Sequence, residues 1–201
     1  MLKYLLAAVA AVGVLGASAA LVTSALFTDQ STVGSSVFIT GTVDIAVSPA
    51  SAALNMTNMS PGDMTTNTIT VSNSGSLAFR YAIQAAADNF DTKGMRDVLR
   101  VRIAVRGGAS CDAPYFNTSG SATTLSDDTE IYIGTGIPAS PGNLVGSAAT
   151  GAQPGDRTLG ASAAETLCVG VVLPSTAGNT YQGSTTNATF DFVSEQIPNN
   201  P

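Results

Sequence analysis

Pro61-Gly-Asp-Met-Thr-Thr-Asn-Thr-Ile-Thr-Val-Ser-Asn-Ser-Gly-Ser-Leu-Ala-Phe-Arg-Tyr-Ala-Ile-Gln-Ala85 is a turn, a strand, a turn and a second strand in succession. Pro61-Gly62 fits the centre of a type II turn, because proline presets the first φ and glycine supplies the positive second one. Asn67 to Ser72 then alternates, with Ile69 and Val71 on one face and Thr68 and Thr70 on the other. Asn73-Ser74-Gly75-Ser76 is the next turn. Phe79 to Ala85 resumes the period of two, with Phe79, Tyr81 and Ile83 set against Arg80 and Gln84.

The same pattern extends in both directions. Val37 to Val47 alternates imperfectly, with Val37, Ile39, Val43, Ile45 and Val47 apolar and Asp44 directed to solvent. Ser48 to Ser60 is a polar connection. On the C-terminal side, Ala86 to Arg96 holds a loop or one helical turn. Leu99 to Val105 is the clearest strand, placing Leu99, Val101, Ile103 and Val105 inward and Arg100, Arg102 and Ala104 outward on a solvated face. Gly107 to Asp128 is loop-like, and Glu130 to Ile133 is a short strand. Gly134 to Ala164 reads as long surface connections around one short strand near Leu144-Val145. Thr166 to Leu173 and Ala188 to Val193 are two further strands. Many short strands, regular turns and no long amphipathic helix make an all-β, antiparallel β-sandwich, with jelly-roll and immunoglobulin-like topologies both compatible.

Residues 1–25 have the form of a signal peptide: Lys3, then an apolar run to Leu21-Val22, then small residues at Thr23 and Ala25, with a second small-x-small pair at Ala17 and Ala19. The run is long enough to span a bilayer, so an uncleaved leader holding the chain to a membrane is the competing reading. Cleavage between Ala25 and Leu26 creates a new N-terminus, a segment over residues 26–36 ahead of a domain over residues 37–201. An extended segment without a partner strand of its own readily joins another sheet.

Composition removes several classes of function. The 201 residues contain no histidine, which excludes Ser-His-Asp and Cys-His nucleophile systems and the His-Glu-x-x-His zinc motif. A net charge of -6 argues against nucleic acid as a partner. Asp88, Asp91 and Asp97, and the run Asp127-Asp128-Thr129-Glu130, lack EF-hand spacing and read as solvated loops, so neither a metal nor another cofactor is expected. Cys111 and Cys168 are the only cysteines. In an exported chain they are expected to form one disulfide, whose loop length corresponds to roughly 4 kcal/mol in the chain-entropy model. Asn55, Asn58, Asn117 and Asn187 begin Asn-x-Ser/Thr sequons.

Several stretches together resemble the TasA/camelysin family. They are Ala25-Leu-Phe-Thr-Asp29 leading into Phe38-Ile-Thr-Gly-Thr-Val-Asp-Ile45, then Asn58-Met-Ser-Pro-Gly-Asp63, Asn73-Ser-Gly-Ser-Leu77, Leu173-Pro174, Ala177-Gly-Asn-Thr-Tyr-Gln-Gly183, and Phe190 to Gln196. The cysteines, with Arg157-Thr-Leu-Gly160 and Glu165-Thr-Leu-Cys168, are similar to a disulfide-bearing subset. The resemblance implies a jelly-roll subunit, released by a dedicated signal peptidase and assembled as a homo-oligomeric filament in an extracellular biofilm matrix, with an accessory anchor protein as a possible partner. It also implies that the N-terminal segment of one subunit enters the next as a strand. Carried over, that donor is Leu26 to about Gly34, including Thr28, Asp29 and Val33, with Phe27 as the apolar anchor. Camelysin-type relatives are described as metallopeptidases; the absence of histidine departs from that pattern, and an enzyme is not expected.

Overall fold

The computed structural model describes residues 41–50, 59–108, 111, 115–125 and 127–197, all within the unit Gly41–Pro201. Nine strands are described: β1 Ile45–Ser48, β2 Met64–Asn73, β3 Phe79–Ala87, β4 Arg100–Val105, β5 Thr129–Thr135, β6 Gly142–Val145, β7 Arg157–Leu159, β8 Ala164–Val172 and β9 Ala188–Gln196. One helical turn, α1 Met95–Val98, precedes β4. The strands form a five-stranded sheet of order β1-β2-β8-β4-β5 and a four-stranded sheet in which β6, β7 and β9 all pair with β3. All pairings are antiparallel. The chain changes sheet at β2–β3, β3–β4, β5–β6, β7–β8 and β8–β9, the alternation of a two-sheet β-sandwich, while β1–β2 and β4–β5 pair within one sheet.

Strand parity accounts for the main core. Ile69 and Val71 of β2, Phe79, Tyr81 and Ile83 of β3, Val101 and Ile103 of β4, and Leu167, Val169 and Val171 of β8 pack into one buried cluster between the sheets. These are the positions that alternation marks as apolar. At about 25 cal/mol per Å² of apolar surface, burial of this cluster is the main favourable term of the fold.

Three local readings change. β1 begins only at Ile45, and the expected strand residues Val37 to Thr40 lie outside the described residues. Gly41–Asp44 is irregular but still tied down, because the Thr42 carbonyl accepts the Ser76 and Leu77 amides and the Asp44 carbonyl accepts the Ser74 amide. Gly75 makes this approach possible: a Cβ there would lie 2.3 Å from the Thr42 carbonyl oxygen. β7 was not foreseen inside the Gly/Ser/Ala-rich stretch; its three residues pair only with Phe79–Tyr81 of β3. Arg80, set by alternation on the face opposite Phe79, Tyr81 and Ile83, is buried and paired with Glu195 at 2.5 Å, with the Gly151 amide also donating to Glu195.

The largest change concerns the outer face of the five-stranded sheet. Arg102 and Ala104 were expected outward and solvated, yet Arg102 is 5% exposed and Ala104 0%. Parity is correct, but parity does not say what lies on top. Residues from the β4–β5 connection cover that face: Cys111, Tyr115 and Phe116 pack with Ala104, Cys168 and Val172 as a second small cluster. Gly170 leaves room for this cover, since a Cβ there would stand 2.9 Å from the Tyr115 Cβ. The Cys111–Cys168 disulfide fastens the cover to β8, the strand between β2 and β4. Arg102 binds it further, pairing with Glu130 at 2.6 Å and donating to the carbonyls of Tyr115 and Thr123, each at 2.8 Å.

Between the sheets, one polar group links both layers. Glu165 of β8 accepts the Tyr81 hydroxyl of β3 at 2.6 Å and pairs with Arg157 of β7 at 2.5 Å. Burial, and next the bond to Glu165, push the Tyr81 hydroxyl well above the ordinary tyrosine range. Burial and the Asp128 hydrogen bond do the same to Tyr115, and burial raises Tyr132. For a group raised in the folded state, stability is fully present below the unfolded value near 10 and is lost as pH rises above it. We expect the urea midpoint to fall between pH 9 and 11, with Tyr81 alone contributing about 1.4 kcal/mol per pH unit above 10. Tyr81→Phe should flatten that dependence; an unchanged slope would contradict the assignment.

Candidate assembly interface

Strand donation needs a free strand and an open sheet edge. The expected donor residues Leu26, Phe27, Thr28, Asp29 and Val33, and the expected processing site at Ala25 and Leu26, lie outside the described residues. The edges of the described sheets have a geometry.

Each edge differs. β5 runs for seven residues, and its register against β4 shifts between Ile103 and Ala104, an irregularity that discourages pairing with another chain. β9 pairs with β3 along its whole length and places Asp191 on its exposed positions. β6 and β7 share the remaining side of β3, each covering part of it. The fourth edge is unequal. β1 pairs with β2 only from Thr70 to Asn73, whereas β8 pairs with β2 from Met64 onward. From Met64 to Ile69, β2 therefore has β8 on one side and no strand among the described residues on the other. Pro49 follows β1 directly and has no amide to continue a ladder.

This lane lies beside the disulfide. Thr68 is in register with Cys168, and its hydroxyl donates to the Cys111 Sγ at 2.9 Å. Its amide donates to the Asn67 side-chain oxygen at 2.8 Å. Alternation places Thr66 and Thr68 on the same face as the cover, and Ile69 in the core. The sequence marked this strand but could not mark its edge, because edge status depends on where β1 ends.

The acidic residues considered for a cation hold loops together. Asp88 accepts the Asn187 amide and its Nδ2, at 3.1 and 2.7 Å. Asp91 accepts the amides of Lys93 and Thr185, and these bonds hold its carboxyl below the usual carboxylate range. Asp97 pairs with Arg96, Glu130 with Arg102, and Asp128 accepts the Tyr115 hydroxyl and the Gly107 amide. Of the sequons, Asn55 and Asn58 lie outside the described residues. Asn117 accepts the Ser121 amide and the Ser119 hydroxyl, while Asn187 is engaged by Asp88. Among the described residues no helix is long and apolar enough to cross a membrane.

The fold and this edge define an antiparallel β-sandwich whose outer sheet is incompletely lined on one side. Residues 1–96, just under half of the chain, match the family model described as camelysin metallo-endopeptidase. No curated protein matches the chain. The matched part ends inside α1, so β4 to β9 and both cysteines lie beyond it. The family description implies a metal, and the donor set here does not suit one. There is no histidine in the chain, both cysteines are joined to each other, and among the described residues no three potential ligands gather.

Proposed function

We propose that the chain is a secreted structural subunit, cleaved after Ala25 by a signal peptidase, that assembles head to tail into extracellular fibres. Leu26 to Gly34 of one subunit pairs along Met64–Ile69 of the next. The observation that carries this reading is the half-lined side of β2, which offers main-chain groups to an extended segment. The resemblance of the N-terminal part to the TasA/camelysin family agrees with it. Main-chain pairing supplies affinity and alternate side chains supply specificity, with Phe27 as the apolar anchor. A donor at one end and an acceptor elsewhere form a heterologous contact that does not close on itself, so a filament follows. No catalytic role is proposed.

The test joins N-terminal sequencing of the secreted protein to negative-stain electron microscopy. A start at Leu26 with filaments is expected. Deleting Leu26 to Gly34 should leave folded monomers without filaments. Thr68→Pro, which removes one amide from the receiving edge, should also block assembly while circular dichroism stays that of a β-sandwich. A retained leader with discrete particles would overturn the reading in favour of a membrane-anchored surface domain.

A further inference from the structure

Five of the six arginines have polar partners. Arg80, Arg96, Arg102 and Arg157 pair with carboxylates, and Arg106 donates to a backbone carbonyl. The side chain of Arg100, at the start of β4, forms no hydrogen bond or ion pair among the described residues, and its Nε is buried. A buried donor without an acceptor costs roughly 1–3 kcal/mol. In a chain of net charge -6, a guanidinium left without a carboxylate is unexpected.

Its surroundings are built. Arg100 lines an open cleft of about 340 Å³ formed where α1, the ends of β4 and β5, the Ser119 turn and the Pro174–Tyr181 segment meet. Gly120, with φ of +80°, lies against the stem: a Cβ there would stand 3.0 Å from both the Arg100 Cδ and the Pro174 Cγ. Thr135, Thr176 and Tyr181 also line the cleft, and their hydroxyls form no hydrogen bond among the described residues. Asp97 lines it as well, and its own charge is already paired with Arg96 at 3.2 Å. Pro174 and Ala177 supply an apolar wall.

We propose that this cleft binds a sugar acid, with Arg100 pairing the carboxylate. The single cation matches one carboxylate. The three hydroxyl-bearing side chains and the rim carboxylate match a ring bearing several hydroxyls, and the Pro174–Ala177 wall takes its C–H face. A phosphate would call for more cations or a cradle of amides, and a simple carboxylate would leave the three hydroxyls unused. The volume is within the range of small-molecule sites. The site stands on its own residues and does not depend on fibre assembly.

The full secreted chain would be titrated by calorimetry with galacturonate, with trigalacturonate, and with galactose and acetate as controls. Saturable binding of the two acids and none of the controls is expected; tighter binding of the trimer identifies a polysaccharide as the source, and equal binding identifies a free sugar acid. Arg100→Met keeps the stem and removes the unpartnered Nε, so Tm should hold or rise while affinity falls about tenfold or more. Thr176→Val, at the opposite wall, should weaken binding without changing the fold. Equal binding of galactose, displacement by acetate at matching concentration, undiminished binding by Arg100→Met, a fall in its Tm, or no saturable binding of either acid would each overturn the proposal.

Discussion

Replacing Glu165 with alanine is expected to lower stability by roughly 3–5 kcal/mol, the largest effect of any single substitution considered for this domain. Glu165 answers two groups at once, the Tyr81 hydroxyl from β3 and the Arg157 guanidinium from β7, and each comes from the opposite sheet. The Glu165 side chain is 11% exposed and that of Arg157 is 30% exposed. Alanine leaves a phenol and a cation facing the core without an acceptor, and water reaches neither freely. For a domain of this size the corresponding fall in Tm is on the order of 10 °C. The reason can be checked separately from the size. Because the cost lies in an orphaned charge, the double change Glu165→Leu with Arg157→Met should recover much of the loss. If thermal unfolding shows the double variant no better than Glu165→Ala, the orphaned-charge account fails and loss of packing must be the cause.

Removing the disulfide is expected to cost about 4 kcal/mol and to act on one face first. The cysteines are 57 residues apart in sequence, so the bond closes a long loop and its main effect in the chain-entropy model is on the unfolded state. Its position adds a local consequence. Cys111 belongs to the cover, Cys168 to β8, and between them lies the route by which Tyr115 and Phe116 are held over Ala104 and Val172. In Cys111→Ala/Cys168→Ala we expect hydrogen exchange to quicken first around residues 115–125, where Arg102 otherwise holds the Tyr115 and Thr123 carbonyls. The inner cluster around Ile103, Leu167 and Val169 should exchange only with global unfolding. Uniform loss of protection across both faces would show that the cover and sandwich unfold as one unit.

The two variants probe different layers, and the sequence speaks unevenly about them. Apolar alternation in Asn67–Ser72, Phe79–Ala85 and Leu99–Val105 was enough to place the inner core, because a half-buried strand must put its apolar side chains on one face. It also gave the correct parity for Arg100, Arg102 and Ala104. The solvated outer face was wrong, since the segment that covers it carries few apolar residues and no period. Gly170 between Val169 and Val171 was a usable sign: glycine inside an otherwise apolar strand often marks close approach of another segment. β7 escaped notice because three residues carry no period. The carboxylates were legible as loop residues, but their partners, such as Asn187 for Asp88, are distant in sequence.

By itself, the sequence determined the all-β class, the inward faces of the main strands, the acidic balance, the absence of histidine chemistry and the pairing of two lone cysteines. These follow from composition and local periodicity, which need no knowledge of neighbours. Only the tertiary structure decided which strand is an edge, what lies over the outer face, which arginine side chain lacks a partner among the described residues and which glutamate joins the sheets. Each of those depends on contacts between segments far apart along the chain. In a sandwich that changes sheet at five connections, such contacts are set by topology, and no local pattern encodes them.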